Sequence, residues 1–101
     1  MSDGPDGDLL AELFSVVESR KAELPDGSYT ASLLTHEKGE NAVLEKLGEE
    51  LTEVVLAAKD DDPDGLAHEA ADLVYHLLVL LAAKDMDVAD LEAELRGRFP
   101  E

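Results

Sequence analysis

Apolar side chains recur every three or four residues along most of this 101-residue chain, which is the spacing of one face of a helix. The first such segment begins near Asp8, a candidate N-cap. It should end before Pro25, because the residue preceding a proline avoids the α conformation. The following residues, 25–27, predict a turn. The apolar residues of this helix are predicted to share one face: Leu9, Leu10, Leu13, Phe14, Val16 and Val17.

Two helices are predicted next. Either Ser28 or Thr30 caps a short helix that reaches Leu34, because hydroxyl side chains accept hydrogen bonds from the first turn of a helix. Residues 38–41 contain glycine and asparagine and predict a break. The third helix then runs from about Asn41 to Lys59.

Two further helices complete the chain. An aspartate-rich connection at residues 60–65 leads into a helix from about Pro63 to Lys84, and Asp87 is predicted to cap a last short helix. No segment alternates apolar and polar residues with β-branched side chains, so we predict no sheet. The expected fold is all-α, a small bundle of four to five helices over residues 8–101, preceded by a flexible acidic tail at residues 1–7.

The fourth helix is apolar on nearly every side from Leu73 to Leu81. A helix without a polar face has to be buried all round, and so short a chain has few other helices to cover it. We therefore expect a homodimer or higher homo-oligomer. The alternative is that the first three helices wrap it completely. The apolar run 73–83 is shorter than the roughly 20 residues that a membrane span needs, so no membrane association is expected.

Eight basic residues face 25 acidic ones, which gives a formal net charge of −17. Nucleic-acid binding relies on a basic surface, so that class of partner is not expected. The acids are spread along the whole chain, which favours adaptation to a salt-rich cytoplasm that screens their repulsion. The chain contains no cysteine, which excludes disulfides and thiolate metal sites. Residues 1–8 lack the features of a signal peptide, so a cytoplasmic protein is expected.

Carboxylates occupy positions where the third helix should present core residues. Glu50 lies within the apolar stripe, Glu53 and Lys46 lie at its margin, and Glu49 precedes Glu53 by one turn. The predicted core series of this helix is Val43, Leu47, Glu50, Val54 and Ala57 or Ala58.

The fourth helix repeats this anomaly. Glu69 again takes an apolar position, and Asp72 follows three residues later, in line with His76 and Val79. The predicted core series here is Leu66, Glu69, Leu73, Leu77 and Leu80.

A lone buried carboxylate costs several kcal/mol, so it must be paired, protonated or bound to metal. Carboxylates that converge between helices repel one another, and Mg²⁺, which prefers oxygen ligands, removes that repulsion. The alternative is that these acids are solvated or paired with basic side chains. That interpretation suits any single glutamate of so acidic a chain, but not Glu50 and Glu69 together.

Three segments combine into a specific pattern that covers about residues 8–98, namely S-Y-T-A at 28–31, K-L-G-E-E-L-T-E at 46–53 and E-A-A-D-L-V-Y-H-L-L-V-L-L at 69–81. They resemble the phosphoribosyl-ATP pyrophosphatase family of histidine biosynthesis and, more widely, the all-α NTP pyrophosphohydrolases (MazG-like), whose E-E-x-x-E and E-x-x-D motifs bind Mg²⁺. The first motif alone is weak in a Glu-rich chain, whereas the combination is specific.

The resemblance implies hydrolysis of phosphoribosyl-ATP to phosphoribosyl-AMP and pyrophosphate, with water attacking the α-phosphorus and Mg²⁺ as cofactor. It implies a catalytic set of Glu49, Glu50 and Glu53, in which Glu49 is either a further ligand or the base that activates water. The metal ligands that it implies are Glu50, Glu53, Glu69 and Asp72.

The same resemblance indicates substrate contacts. Hydroxyl groups near the start of the second helix could donate to phosphate or ribose, or the segment could be a plain helix cap. Lys46 either meets a phosphate oxygen or pairs with a neighbouring glutamate. His76 is either a core histidine or a support for the Asp72 carboxylate. The candidate substrate-binding residues are Ser28, Tyr29, Thr30, Lys46 and His76.

Three rival interpretations remain. A related house-cleaning enzyme would use the same metal ligands on free NTPs or dNTPs. A calcium loop is suggested by Asp60-x-Asp62-x-Asp64-Gly65, but its twelfth position is Ala71 rather than glutamate, and Pro63 interrupts it. A non-catalytic acidic bundle would tolerate, or gain stability from, replacing Glu50 or Glu69 by glutamine.

Overall fold

The computed structural model describes residues 9–99, and this part of the chain contains five α-helices and no strand. The all-α prediction is confirmed, and the predicted helix bounds agree to within a residue or two. The predicted acidic tail and the Asp8 cap lie outside the described residues. The helices are α1 (Leu9–Glu23), α2 (Tyr29–Leu34), α3 (Glu40–Lys59), α4 (Pro63–Ala83) and α5 (Val88–Arg96).

Short polar side chains begin three of the helices, as local sequence predicts. The Ser28 hydroxyl accepts from the Ala31 amide at 3.1 Å, so Ser28 rather than Thr30 caps α2. Asp62 accepts from an amide of the first turn of α4. Asp87 and Asp90 form a reciprocal capping box at the start of α5.

Helices α3 and α4 form the central antiparallel pair, α1 and α2 pack against it, and α5 packs on α1. The predicted single apolar face of α1 is wrong for Leu9 and Val16, which are 61% and 44% exposed. At 3.6 residues per turn these two lie roughly 140–160° from the buried Phe14, too far round the helix to share its face. The buried core consists of Phe14, Val17, Leu33, Ala42, Val43, Leu78, Val79, Ala82 and Val88.

The buried face of α4 also differs from the predicted one. His76, Leu78, Val79 and Ala82 are the buried residues of this helix, whereas the predicted series through Leu66, Glu69, Leu73, Leu77 and Leu80 is only partly buried. A segment that is apolar on nearly every side carries no signal about which side will face its neighbours. The buried line of α4 therefore continues from Asp72, not from Glu69.

The first three helices do not wrap α4 completely, because Val74 remains 40% exposed. By length and composition α4 is also the one helix, among those described, that could cross a membrane. That criterion is weak, since core helices of soluble proteins also meet it. Within this structure α4 carries three acidic side chains and the buried His76, and it packs along α3 and α1.

Candidate metal centre

Three carboxylates from the central helix pair converge. Glu50 projects from α3, Glu69 and Asp72 project from α4, and one oxygen of each lies within 4.8 Å of the other two. Glu50 is only 8% exposed, while Glu69 and Asp72 are half-buried. The three residues lie where the two helices pack against each other, so the bundle itself holds them together. We call Glu50, Glu69 and Asp72 the carboxylate triad.

Glu50 is the least satisfied member of the triad. Its Oε1 is buried and has no hydrogen-bond partner among the described residues, and its Oε2 lies 3.8 Å from the Lys46 ammonium. A buried polar atom without a partner costs roughly 1–3 kcal/mol, and more when it is charged. A cation among the three carboxylates would satisfy this oxygen, so the residues present fit a hard divalent metal.

Electrostatic repulsion among the carboxylates of the triad also favours a bound cation. Burial raises the pKa of the Glu69 carboxyl, and the negative charges of Glu50, Glu53 and Asp72 raise it further, while His68 opposes them. The His68 Nε2 lies 3.5 Å from the Asp72 carboxylate. The sequence analysis missed His68, although its position four residues before Asp72 on α4 places it on the same face. The triad is thus short of positive charge.

The other two predicted carboxylates lie outside the triad. Glu53 is exposed but close enough to raise the pKa of Glu69. Glu49 is also exposed and accepts from Lys46 at 3.4 Å. Glu49 directly precedes Glu50 on α3, and Glu53 lies one turn after it, so both are near the triad without belonging to it. Their roles remain predictions.

Lys46 borders the triad on its α3 side. Its ammonium lies 3.4 Å from Glu49 and 3.8 Å from Glu50. Burial alone would lower the pKa of Lys46, but Tyr29, Glu49 and Glu50 together raise it. The side chain therefore carries a firm positive charge beside the carboxylates. Lys46 thus forms the salt bridges that we gave as the alternative to a phosphate contact. The residue is half-buried, so its ammonium is still accessible to a ligand.

His76 contacts the backbone of Asp72, not its carboxylate as one of our expectations held. A carbonyl oxygen can only accept, so Nδ1 of His76 donates to the Asp72 carbonyl at 2.8 Å. In the neutral ring Nε2 is then an acceptor, and it receives the Tyr29 hydroxyl at 2.8 Å. Burial raises the pKa of Tyr29, Lys46 lowers it, and the nearby carboxylates Glu50, Glu49 and Asp72 raise it. This contact ties α2 to α4.

Ser28 and Thr30 are less available for substrate contacts than the resemblance implied. The Ser28 hydroxyl is engaged as the helix cap, and Thr30 is only 4% exposed. Both line an open cavity of about 600 Å³, together with Tyr29, Tyr75 and Arg20. Arg20 was not among the predicted site residues, because a single arginine on the amphipathic α1 has no distinguishing sequence signal.

The aspartate-rich connection does not form a calcium loop. Asp62 uses its side chain to cap α4, Pro63 is the first residue of that helix, and Gly65 lies inside it. An EF-hand loop needs a sharp turn at this glycine and ligands continuing beyond it. The helix therefore leaves no loop to surround an ion at these residues.

Comparison with known proteins identifies close relatives. Residues 10–99 match the family described as phosphoribosyl-ATP pyrophosphohydrolase. A phosphoribosyl-ATP pyrophosphatase of Natronomonas pharaonis is 78% identical over 97 residues, which cover 95% of this chain and 96% of the relative. The enzyme of that name from Haloarcula marismortui is 72% identical, covering 91% and 94%. A third, from Trichlorobacter lovleyi, is 52% identical, covering 90% and 82%. Halophilic archaea are among these sources, in accord with the acidic composition.

Proposed function

The chain belongs to the phosphoribosyl-ATP pyrophosphohydrolase family, and we propose that its carboxylate triad holds the Mg²⁺ of that reaction. The enzyme hydrolyses phosphoribosyl-ATP to phosphoribosyl-AMP and pyrophosphate, a step of histidine biosynthesis. One observation carries the proposed site, namely the convergence of Glu50, Glu69 and Asp72 at a buried Glu50 oxygen that has no hydrogen-bond partner within residues 9–99.

The choice of Mg²⁺ follows from the ligands. Carboxylate oxygens suit a hard cation, and Mg²⁺ in particular is bound by a few carboxylates together with waters and substrate phosphates. When bound, such an ion neutralises phosphate charge and helps to generate the nucleophile. It also accounts for how a chain of charge −17 could take up a polyphosphate.

The side chains around the triad are proposed to supply the other catalytic and binding groups. Water attacks the α-phosphorus, and the bond from that phosphorus to the oxygen bridging to the β-phosphorus breaks, so pyrophosphate leaves with the bridging oxygen. The water proton passes to a carboxylate, for which the exposed Glu49 is our first choice. Glu53, one turn after Glu50, is proposed as a further ligand. Lys46 presents its charge to the phosphates.

We also propose that the enzyme is a cytoplasmic homodimer. Leu51 and Val55 on α3 are 54% and 48% exposed, and Val74 on α4 is 40% exposed. Burying such side chains is worth about 25 cal/mol for each Å² of apolar surface removed from water. A symmetric dimer is the commonest way for a small chain to achieve this.

The deciding experiment measures pyrophosphate release from phosphoribosyl-ATP in Mg²⁺, and again after adding a chelator in excess. We expect turnover that chelation abolishes and added Mg²⁺ restores. The same assay with dNTPs tests the house-cleaning alternative. A higher kcat/KM for dNTPs than for phosphoribosyl-ATP would favour the house-cleaning function. Turnover that the chelator does not change would contradict the proposed Mg²⁺ site.

A further inference from the structure

A second cavity, of about 280 Å³, opens between α2 and α3 beside the triad. Its lining includes the buried Leu33 and Ala42. Lys46 and Glu49, which border the triad, also line this cavity. A ligand held at the triad can therefore extend along α3 into it.

Basic side chains are unusually frequent in the lining of this cavity, although two carboxylates line it as well. The chain has only eight lysine and arginine residues and three histidines, yet Lys38, Lys46 and His36 all line this one space. Glu45 and Glu49 also line the cavity, and each pairs with one of its two lysines. The lysines can donate to an anion where that anion displaces these pairs. No role was assigned to His36 or Lys38 by the reaction at the triad.

The turn that carries these two residues is held in a defined geometry. The Lys38 amide donates to Nδ1 of His36 at 3.0 Å, and the Gly39 amide donates to the His36 carbonyl at 2.8 Å. In the neutral ring Nδ1 is thus the acceptor, and Nε2 carries the hydrogen. His36 can therefore offer a donor to a ligand in the cavity.

The Lys38 ammonium is placed by a contact that a ligand can replace. It lies 3.0 Å from Glu45, and both side chains are more than half exposed. Such exposed pairs contribute little free energy, whereas charge-assisted hydrogen bonds to a phosphate are stronger. The partner of Lys38, Glu45, precedes the triad residue Glu50 by five residues, which is roughly 8 Å along the axis of α3. Lys38 thus marks a second anion position beyond the triad.

We propose that this cavity receives the 5′-phosphate of the substrate's phosphoribosyl arm, with Lys38 and Nε2 of His36 as its donors. The inference rests on the proposed function, because it assumes that the triphosphate lies at the triad. The substrate then has one anionic group left to place, and the cavity that contains Lys38 and His36 is adjacent. Lys38 acts here as a binding residue that distinguishes phosphoribosyl-ATP from ATP.

The test compares Lys38→Gln with Lys84→Gln in the Mg²⁺-loaded enzyme, at a salt concentration that keeps it folded. Lys84 is a matched control, because it forms a 2.9 Å pair with Glu40 and is 53% exposed, against 54% for Lys38. Lys84 does not line this cavity. We expect Lys38→Gln to raise the KM for phosphoribosyl-ATP about tenfold, as loss of one charged hydrogen bond does, with kcat nearly unchanged. Lys38→Arg should restore most of the affinity.

ATP supplies the discriminating arm, because it carries the triphosphate without the phosphoribosyl group. Its inhibition constant should be the same for wild type, Lys38→Gln and Lys84→Gln. Equal weakening of ATP and phosphoribosyl-ATP by Lys38→Gln would place the triphosphate in the cavity and overturn the inference. A KM no higher than that of Lys84→Gln would overturn it too. Both outcomes leave turnover by the wild type intact, so they are distinct from failure of the proposed function.

Discussion

The phenol of Tyr29 donates a 2.8 Å hydrogen bond to Nε2 of His76. The two residues are 47 positions apart, and their rings also meet edge to face, with centroids 5.7 Å apart. Because His76 is 5% exposed, its acceptor nitrogen has little access to water. The contact therefore fixes α2 against the part of α4 that carries Asp72.

Replacing Tyr29 by phenylalanine removes only the donor. The Tyr29→Phe variant is expected to lose about 1 kcal/mol, the usual cost of leaving a buried polar atom unpaired. For a chain of this size that is a Tm lower by roughly 4–8 °C. Tyr75→Phe is the matched control, since Tyr75 also packs on the His76 ring but its hydroxyl makes no hydrogen bond within residues 9–99. Equal Tm values for the two variants would contradict the assigned bond.

Replacing Glu50 by glutamine separates metal binding from folding. The Glu50→Gln variant should lose activity by more than the roughly 10–100-fold that changes outside the ligand shell cost. In chelator its Tm should equal or exceed that of wild type, because a buried charge has been removed. Mg²⁺ should raise the Tm of wild type, since an ion that binds only the folded state stabilises it, and should raise that of the variant much less.

The control for this experiment is Glu94→Gln, which removes an exposed carboxylate on α5 that pairs only with Arg98 in the described structure. It should retain both the activity and the Mg²⁺ response of the wild type. A Glu50→Gln variant that also retained both would leave a non-catalytic acidic bundle as the better interpretation of the triad.

Local chemistry predicted the helices and their caps well. Asp87 was predicted as an N-cap, and Ser28 was one of two candidates for α2, because an N-cap depends on the amides of its own first turn. The proximity of Glu50 to Glu69 was also predictable, since Glu50 interrupts the apolar stripe of α3 and both segments matched one family pattern. These predictions need only spacing within a helix or a known motif.

Contacts between distant helices could not be predicted in this way. Periodicity does not specify which face of α4 turns toward α1, because that helix is apolar on most sides. The Tyr29–His76 bond and the approach of Lys38 to the α2–α3 cavity both depend on how separate elements dock. The structure therefore corrected the face of α4, brought His68 next to Asp72, and placed His36 and Lys38 in the lining of the α2–α3 cavity.

Lys21 joins α1 to the end of α4. Its ammonium donates to the Ala82 carbonyl at 2.7 Å and to Asp85 at 2.6 Å. Lys21→Met should lower the free energy of unfolding by about 1–2 kcal/mol, as loss of charged hydrogen bonds does, measured by urea denaturation. Asp85→Asn should cost less, because Asp85 is 86% exposed and asparagine tolerates its φ of 59° equally well.

The same pair predicts a pH dependence. The hydrogen bond from Lys21, together with its charge, lowers the pKa of Asp85. A lowered native pKa means that the contribution is complete above the ordinary aspartate value of about 3.9 and is lost as pH falls through the native value. Wild type and Asp85→Asn should therefore differ in stability at pH 7 and converge in strong acid. A difference in stability between the two proteins that persisted in strong acid would show that the charge of Asp85 is not its cause.

The proposed dimer is tested by placing a charge on the exposed apolar line of α3. Leu51→Glu should convert a wild-type dimer into a monomer in light scattering after size exclusion, because an unpaired charge in an apolar interface is strongly disfavoured. Leu9→Glu is the control, since Leu9 is 61% exposed on α1, and it should remain dimeric. All three triad carboxylates belong to one chain, so the monomeric variant should still gain thermal stability from Mg²⁺. A loss of that response on dissociation would mean that the partner subunit completes the metal centre.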